Sequence, residues 1–121
     1  MTYKQMITAC ALVAGMLGTS LAQAHAKIEA AEPKADSVVQ GAPAAIRLHF
    51  NEPLEGAFSK IELDGADAAA IALPKAAVDK SDRRLLVVPL PALKAGQYHV
   101  RWSAMTHDGH KVKGDYRFRV K

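Results

Sequence analysis

The chain has 121 residues, 50% of them hydrophobic, and 16 Lys and Arg against 12 Asp and Glu give a net charge of +4. That length suits one domain, and a basic excess this mild, with 6% aromatic residues, argues against a nucleic-acid surface built from cations and stacking rings. One cysteine, Cys10, excludes an internal disulfide framework.

The first predicted element is a secretory leader, Met1 to Ala24. Lys4 supplies its positive start, Met6 to Leu21 is mostly apolar and uncharged, and Ala22-Gln23-Ala24 forms a small-residue cleavage site. The apolar stretch is short for a bilayer span of about 20 residues, so a secreted, soluble protein without a membrane anchor is expected. Cys10 stands too early to become a lipid-bearing first residue. Removing 24 residues from 121 leaves a 97-residue domain, His25 to Lys121. Ala24-His25-Ala26 also satisfies the small-residue rule, and a cut there leaves Lys27 first. Met1, Met6 and Met16 belong to the leader, so the domain keeps Met105 alone and has no thiol.

Beyond the leader the pattern has period two. Lys27 to Glu32 is a weak strand candidate. Ala45 to Phe50 alternates apolar and polar residues, Ser59 to Leu63 places Ile61 and Leu63 inward, and Leu85 to Val88 is a continuous apolar run expected to be covered on both faces. Gln97 to Trp102 and Asp115 to Val120 alternate again. Gly41-Ala42-Pro43, Asn51-Glu52-Pro53, Asp64-Gly65, Pro89-Leu90-Pro91 and Lys94-Ala95-Gly96 supply turns. Ala66 to Ala77 is alanine-rich, but Pro74 and the lack of an apolar stripe predict loop with one short strand. About seven short strands predict an all-β, immunoglobulin-like sandwich or squat barrel. Its core is expected from Ile46, Leu48, Phe50, Ile61, Leu63, Val87, Tyr98, Val100, Trp102, Phe118 and Val120. Lys111, Lys113, Arg117, Arg119 and Lys121 form the solvated face of the last strand.

Cleavage after Ala24 frees an α-amino group on the residue that carries the imidazole of His25. The amine and Nδ1 then close a six-membered chelate on one metal ion, and a bound metal displaces the amine proton near neutral pH. Asp108-Gly109-His110 offers an oxygen and a nitrogen on a tight turn that Gly109 permits. Together the donors make an N₃O set suited to a tetragonal Cu(II) plane. Glu52, at a strand end, is placed to hold the amine or cap the metal axially. His107 adjoins the site as bystander, auxiliary ligand or capture residue. His49 and His99 alternate with core residues and are expected to face outward in structural roles.

His25-Ala26-Lys27, Pro33 before a polar turn, Phe50-Asn51-Glu52-Pro53, Gly96 to Trp102, and Asp108-Gly109-His110 with Gly114 and Phe118 resemble the CopC family of periplasmic copper-binding proteins. The resemblance spans the whole domain. It implies a Greek-key β-sandwich, a periplasmic location, one high-affinity Cu(II) site, and a role in copper homeostasis or resistance. It carries over His25, Asp108 and His110 as ligands, Glu52 as an acid close to the copper, and a CopD-type inner-membrane copper transporter as a partner. A monomer is expected. Two departures stand out. Some relatives hold Cu(I) in a methionine-rich loop, but Leu63 to Leu73 contains neither Met nor His, so no Cu(I) methionine site is expected. Lys111 also stands where the family usually has proline, and His107 precedes Asp108.

Two other classes compete with a copper carrier. A copper-dependent oxidative enzyme of the lytic polysaccharide monooxygenase kind also uses an N-terminal His chelate, but it normally completes the site with a second imidazole rather than a carboxylate. A metal-free sandwich module for protein contacts shares the same strand pattern.

Overall fold

The computed structural model describes residues 27–121. The leader, both cleavage sites and His25 lie outside the described residues. Strands β1 (Ile28–Glu32), β3 (Ala45–Phe50), β4 (Lys60–Asp64), β7 (Leu85–Pro89), β8 (Gly96–Met105) and β9 (Lys111–Val120) fall on the weak candidate, the apolar run and the period-two runs, with β8 continuing past Trp102 and β9 starting before Asp115. Three further pieces, β2 (Val38–Val39), β5 (Ala70–Ile71) and β6 (Ala77–Val78), have two residues each. Two residues carry no alternation, which is why the pattern yields about seven strands and the described residues form nine. One 3₁₀ turn, Gly56–Phe58, follows β3. Among the described residues no helix is long and apolar enough to cross a membrane.

The strands form two sheets, ordered β1-β3-β7-β6 and β2-β9-β8-β4-β5. All pairs are antiparallel except β2 with β9. Strands distant in sequence are neighbours in space, β3 beside β7 and β4 beside β8, as in a Greek-key sandwich. Alternation decides what is buried. In β3, Ile46, Leu48 and Phe50 are at most 1% exposed, and Ile61, Leu63, Tyr98, Val100, Phe118 and Val120 meet them from the second sheet. Trp102 is half-buried and edge-on to Phe50, with ring centroids 5.2 Å apart at 76°. It faces Gly114 across the β8–β9 pair. A Cβ there would stand 2.6 Å from the indole, so the strand needs glycine at that point.

One core assignment needs correction. Val87 is only half-buried, whereas Leu86 and Val88 are fully buried. A continuous apolar run contains no parity, so its inward face is set by register with β3, where Arg47 opposes Val87. On β9 the cations Lys111, Lys113, Arg117 and Arg119 are exposed, as their alternation requires.

Register also positions the site. Ile28 pairs with Phe50, so the start of the described chain runs beside the turn that follows β3. The Lys27 N–H donates to Asn51 Oδ1 (2.8 Å), and the Asn51 N–H donates to the Lys27 carbonyl (3.1 Å). Chain entry, the Asn51–Glu55 turn and the β8–β9 hairpin thereby share one end of the sandwich.

Candidate metal centre

The β8–β9 pairing ends at Met105 and Lys111, and Thr106 to His110 close the hairpin. Thr106 accepts from the Gly109 N–H (2.9 Å), and its own N–H donates to the His110 carbonyl (2.8 Å). Gly109 has φ +94°, in the left-handed region that L side chains avoid. With that residue folded back, the side chains on either side come together. Asp108 Oδ2 lies 3.1 Å from His110 Nδ1.

Thr106, 1% exposed, fixes this arrangement from below. Its hydroxyl donates to Asp108 Oδ1 and accepts from the His110 N–H at 3.1 Å. The Thr106 bond, aided by the adjacent His110 and opposed by partial desolvation, holds the Asp108 carboxyl below the usual carboxylate range. Asp108 is therefore an anionic oxygen donor at any physiological pH. Both side chains are more than half exposed, so a metal ion can reach them.

The hairpin is clamped to the turn after β3. Leu54 and Thr106 form a bridge, the Glu55 N–H donates to the Met105 carbonyl (2.8 Å), and the His107 N–H donates to the Pro53 carbonyl (3.0 Å). Between the two segments lies a recess of about 220 Å³ lined by Glu52, Pro53, Thr106, His107 and Asp108. Glu52 Oε2 is buried and has no hydrogen-bond partner among the described residues. A buried carboxylate oxygen left unpaired is costly, and a cation or an ammonium group in the recess would satisfy it.

The fold thus joins Asp108 to His110 and lines the adjoining recess with Glu52 and His107. Among the described residues no group of three acidic, histidine or cysteine side chains is close enough to hold a metal by itself. A metal held at the Asp108–His110 pair would need further donors, and His25 lies outside the described residues. His107 turns toward Glu55, with Nδ1 2.7 Å from Oε1. His99 is engaged on the outer face of the five-stranded sheet, where Nε2 is 2.7 Å from Asp115 Oδ2 and Nδ1 is 3.9 Å from Asp64 Oδ2. His49 is half-buried on the opposite sheet. Sequence reasoning missed Thr106, Asn51 and Glu55. A threonine two residues before an aspartate at a tight turn is a local signal for Thr106, whereas Asn51 and Glu55 act through contacts distant in sequence.

A two-sheet sandwich with an acid–imidazole pair on the hairpin at one end defines a small all-β sandwich protein. A CopC domain profile matches residues 28–121, and the chain belongs to the CopC family. It is 38% identical over 114 residues to copper resistance protein C of Pseudomonas syringae pv. tomato, covering 89% of this chain and 90% of that protein. It is 37% identical over 121 residues to protein YobA of Escherichia coli K12, covering 99% and 98%. The crystal structure of CopC from Methylosinus trichosporium OB3b superposes with a TM-score of 0.76 at 29% identity, covering 80% of this chain and 94% of that one.

Proposed function

We propose that this protein is a periplasmic copper carrier that binds one Cu(II) through the amine and imidazole of His25, the carboxylate of Asp108 and the imidazole of His110. The observation that carries the reading is the Asp108–His110 pair, preset by Thr106 and clamped beside the turn that receives the chain entry. Only Ala26 stands between His25 and Lys27, two residue steps with a reach of about 7 Å when extended, and Lys27 is tied to Asn51 next to Glu52. Glu52 supplies the unpaired oxygen that steadies the terminal amine or caps the metal. Family membership and the relative named copper resistance protein C support copper as the cargo.

The donor set favours Cu(II) over Cu(I), because nitrogen and carboxylate oxygen suit the cupric plane while soft thioethers are missing. Met105 is the one methionine after the leader. Asp108 in the plane stabilises Cu(II) and opposes redox turnover, so the protein carries the ion rather than catalysing with it. It works as a monomer and hands copper to, or takes it from, a membrane transporter of the CopD kind.

The test is a competition titration of the secreted protein with Cu(II), read with electron paramagnetic resonance. One tight equivalent with a tetragonal nitrogen–oxygen signature is expected. Asp108→Ala, His110→Ala or one extra residue ahead of His25 should each weaken binding by about a hundredfold or more, as loss of a direct ligand exceeds the 10–100-fold cost of losing its supporting partner. A mass showing Lys27 as the first residue, or several equal weak sites, overturns the reading.

A further inference from the structure

His107 does not belong to the donor set above, yet its surroundings prepare it as a ligand. Its backbone is fixed by the N–H bond to Pro53. Its ring is fixed by Glu55, whose backbone is in turn bonded to Met105. Glu55 as a carboxylate only accepts, so the 2.7 Å contact is a donation from Nδ1–H. The proton then sits on Nδ1 and the lone pair on Nε2. This carboxylate–imidazole arrangement is the one that orients metal-binding histidines and raises their basicity. The side chain is 69% exposed, and the residue lines the same recess as Asp108 and Glu52.

His99 shows what a structural histidine looks like in the same molecule. Both of its nitrogens face carboxylates, and in its recess the acids Glu62 and Asp115 are outnumbered by Lys60, Arg101 and Lys113, so the local charge does not favour a cation. Among the described residues His107 has one nitrogen committed, to Glu55, and no partner on the other, on a wall that carries acids.

We propose that His107, oriented by Glu55, is the exchange ligand through which Cu(II) enters and leaves the site. The proposal rests on the Cu(II) reading above. A chelate ring, a carboxylate and an imidazole release copper slowly if each donor must dissociate into water. A tethered imidazole beside the site takes over a coordination position as another donor leaves, at high effective concentration. No electron is transferred, and the ion remains Cu(II) throughout. A ligand that binds only in passage lowers the barrier equally in both directions, so it alters loading and unloading rates by one factor and leaves the equilibrium alone.

The experiment is stopped-flow transfer of Cu(II), from Cu(II)–glycine into the protein and from the loaded protein to an aminocarboxylate chelator. His107→Ala should slow both directions by about tenfold, with the equilibrium affinity and the paramagnetic signature unchanged. Glu55→Gln keeps the shape but removes the anion, and should slow both directions less. In the metal-free protein, long-range ¹H–¹⁵N spectra should show His107 protonated on Nδ1, with Glu55→Gln shifting the ring toward the other tautomer. Unchanged rates in His107→Ala overturn the proposal. So does a loss of affinity confined to faster release, which would make His107 a permanent ligand. If the unaltered protein binds no Cu(II), the underlying reading fails instead.

Discussion

Thr106 has one proton to give and two candidates to receive it. Its hydroxyl lies 3.3 Å from the His110 carbonyl and much nearer to Asp108 Oδ1. The carboxylate takes the proton because a charge-assisted bond is about twice as strong as a neutral one. A lone pair then remains for the His110 N–H. Thr106→Val keeps the shape and removes both bonds, and water takes over only part of their role because Asp108 and His110 are exposed. Asp108 loses the largest influence that lowers its pKa, so its titration should move up toward the usual value. The stabilising bonds of ionised Asp108 are present above the ordinary carboxylate pKa and are lost as pH falls through the depressed one. The variant should therefore show a weaker decline in stability at acid pH than the parent. Thermal melts between pH 2 and 7, with Thr106→Ser as the control that restores the hydroxyl, check this. A second residue acts in the opposite direction. The Tyr116 hydroxyl is buried without a partner among the described residues, and burial raises its pKa above the ordinary value. Below pH ~10 the group is neutral in both states; above it the unfolded chain ionises first and stability falls. Tyr116→Phe should raise the melting temperature and flatten that alkaline decline. Unchanged melts at both pH 7 and pH 11 would refute the assignment.

At the level of elements, strands that border water on one face were readable, and those without such a border were not. Ala45–Phe50 and the two long hairpin strands β8 and β9 alternate because one side meets the second sheet and the other meets solvent. Leu85–Pro89 is apolar throughout although Val87 is only half-buried, so its inward parity was hidden. The pieces β2, β5 and β6 are held by neighbouring strands rather than by their own composition. The same division applies to the site. Asp108, Gly109 and His110 are local and legible, while the clamp from Pro53, Leu54 and Glu55 depends on a pairing some 52 residues away in sequence. The two glycines of the last hairpin separate these effects. Gly109→Ala places a Cβ in open space, so its penalty is backbone strain of about 1–2 kcal/mol, confined to the hairpin tip. Gly114→Ala drives a Cβ into the Trp102 ring and displaces it from Phe50, with an overpacking cost of about 1–3 kcal/mol. Tryptophan emission should shift in Gly114→Ala and stay unchanged in Gly109→Ala, whereas copper affinity should fall mainly in Gly109→Ala.

Over the whole molecule, the proposed site draws together three segments that the sandwich leaves at one end: the chain entry, the turn after β3 and the final hairpin. Each belongs to a different part of the sequence, and β8 and β9 run through the core-forming sheet. Copper bound across the three segments would therefore stabilise the native state as a whole. A ligand that binds only the native state adds about 2.7 kcal/mol at a hundred times its dissociation constant and about 4.1 kcal/mol at a thousand times. For a domain of this size each kcal/mol raises the melting temperature by roughly 4–8 °C. Cu(II) in modest excess should then raise the melting point of a protein beginning at His25 by on the order of 10 °C or more. The shift should grow with the logarithm of free copper. It should vanish in the Asp108→Ala, His110→Ala double variant and in a protein carrying an extra residue before His25. A chelator added after loading should return the melt to its starting point. A copper-induced shift of the same size in the double variant would place the stabilising ion somewhere other than this hairpin.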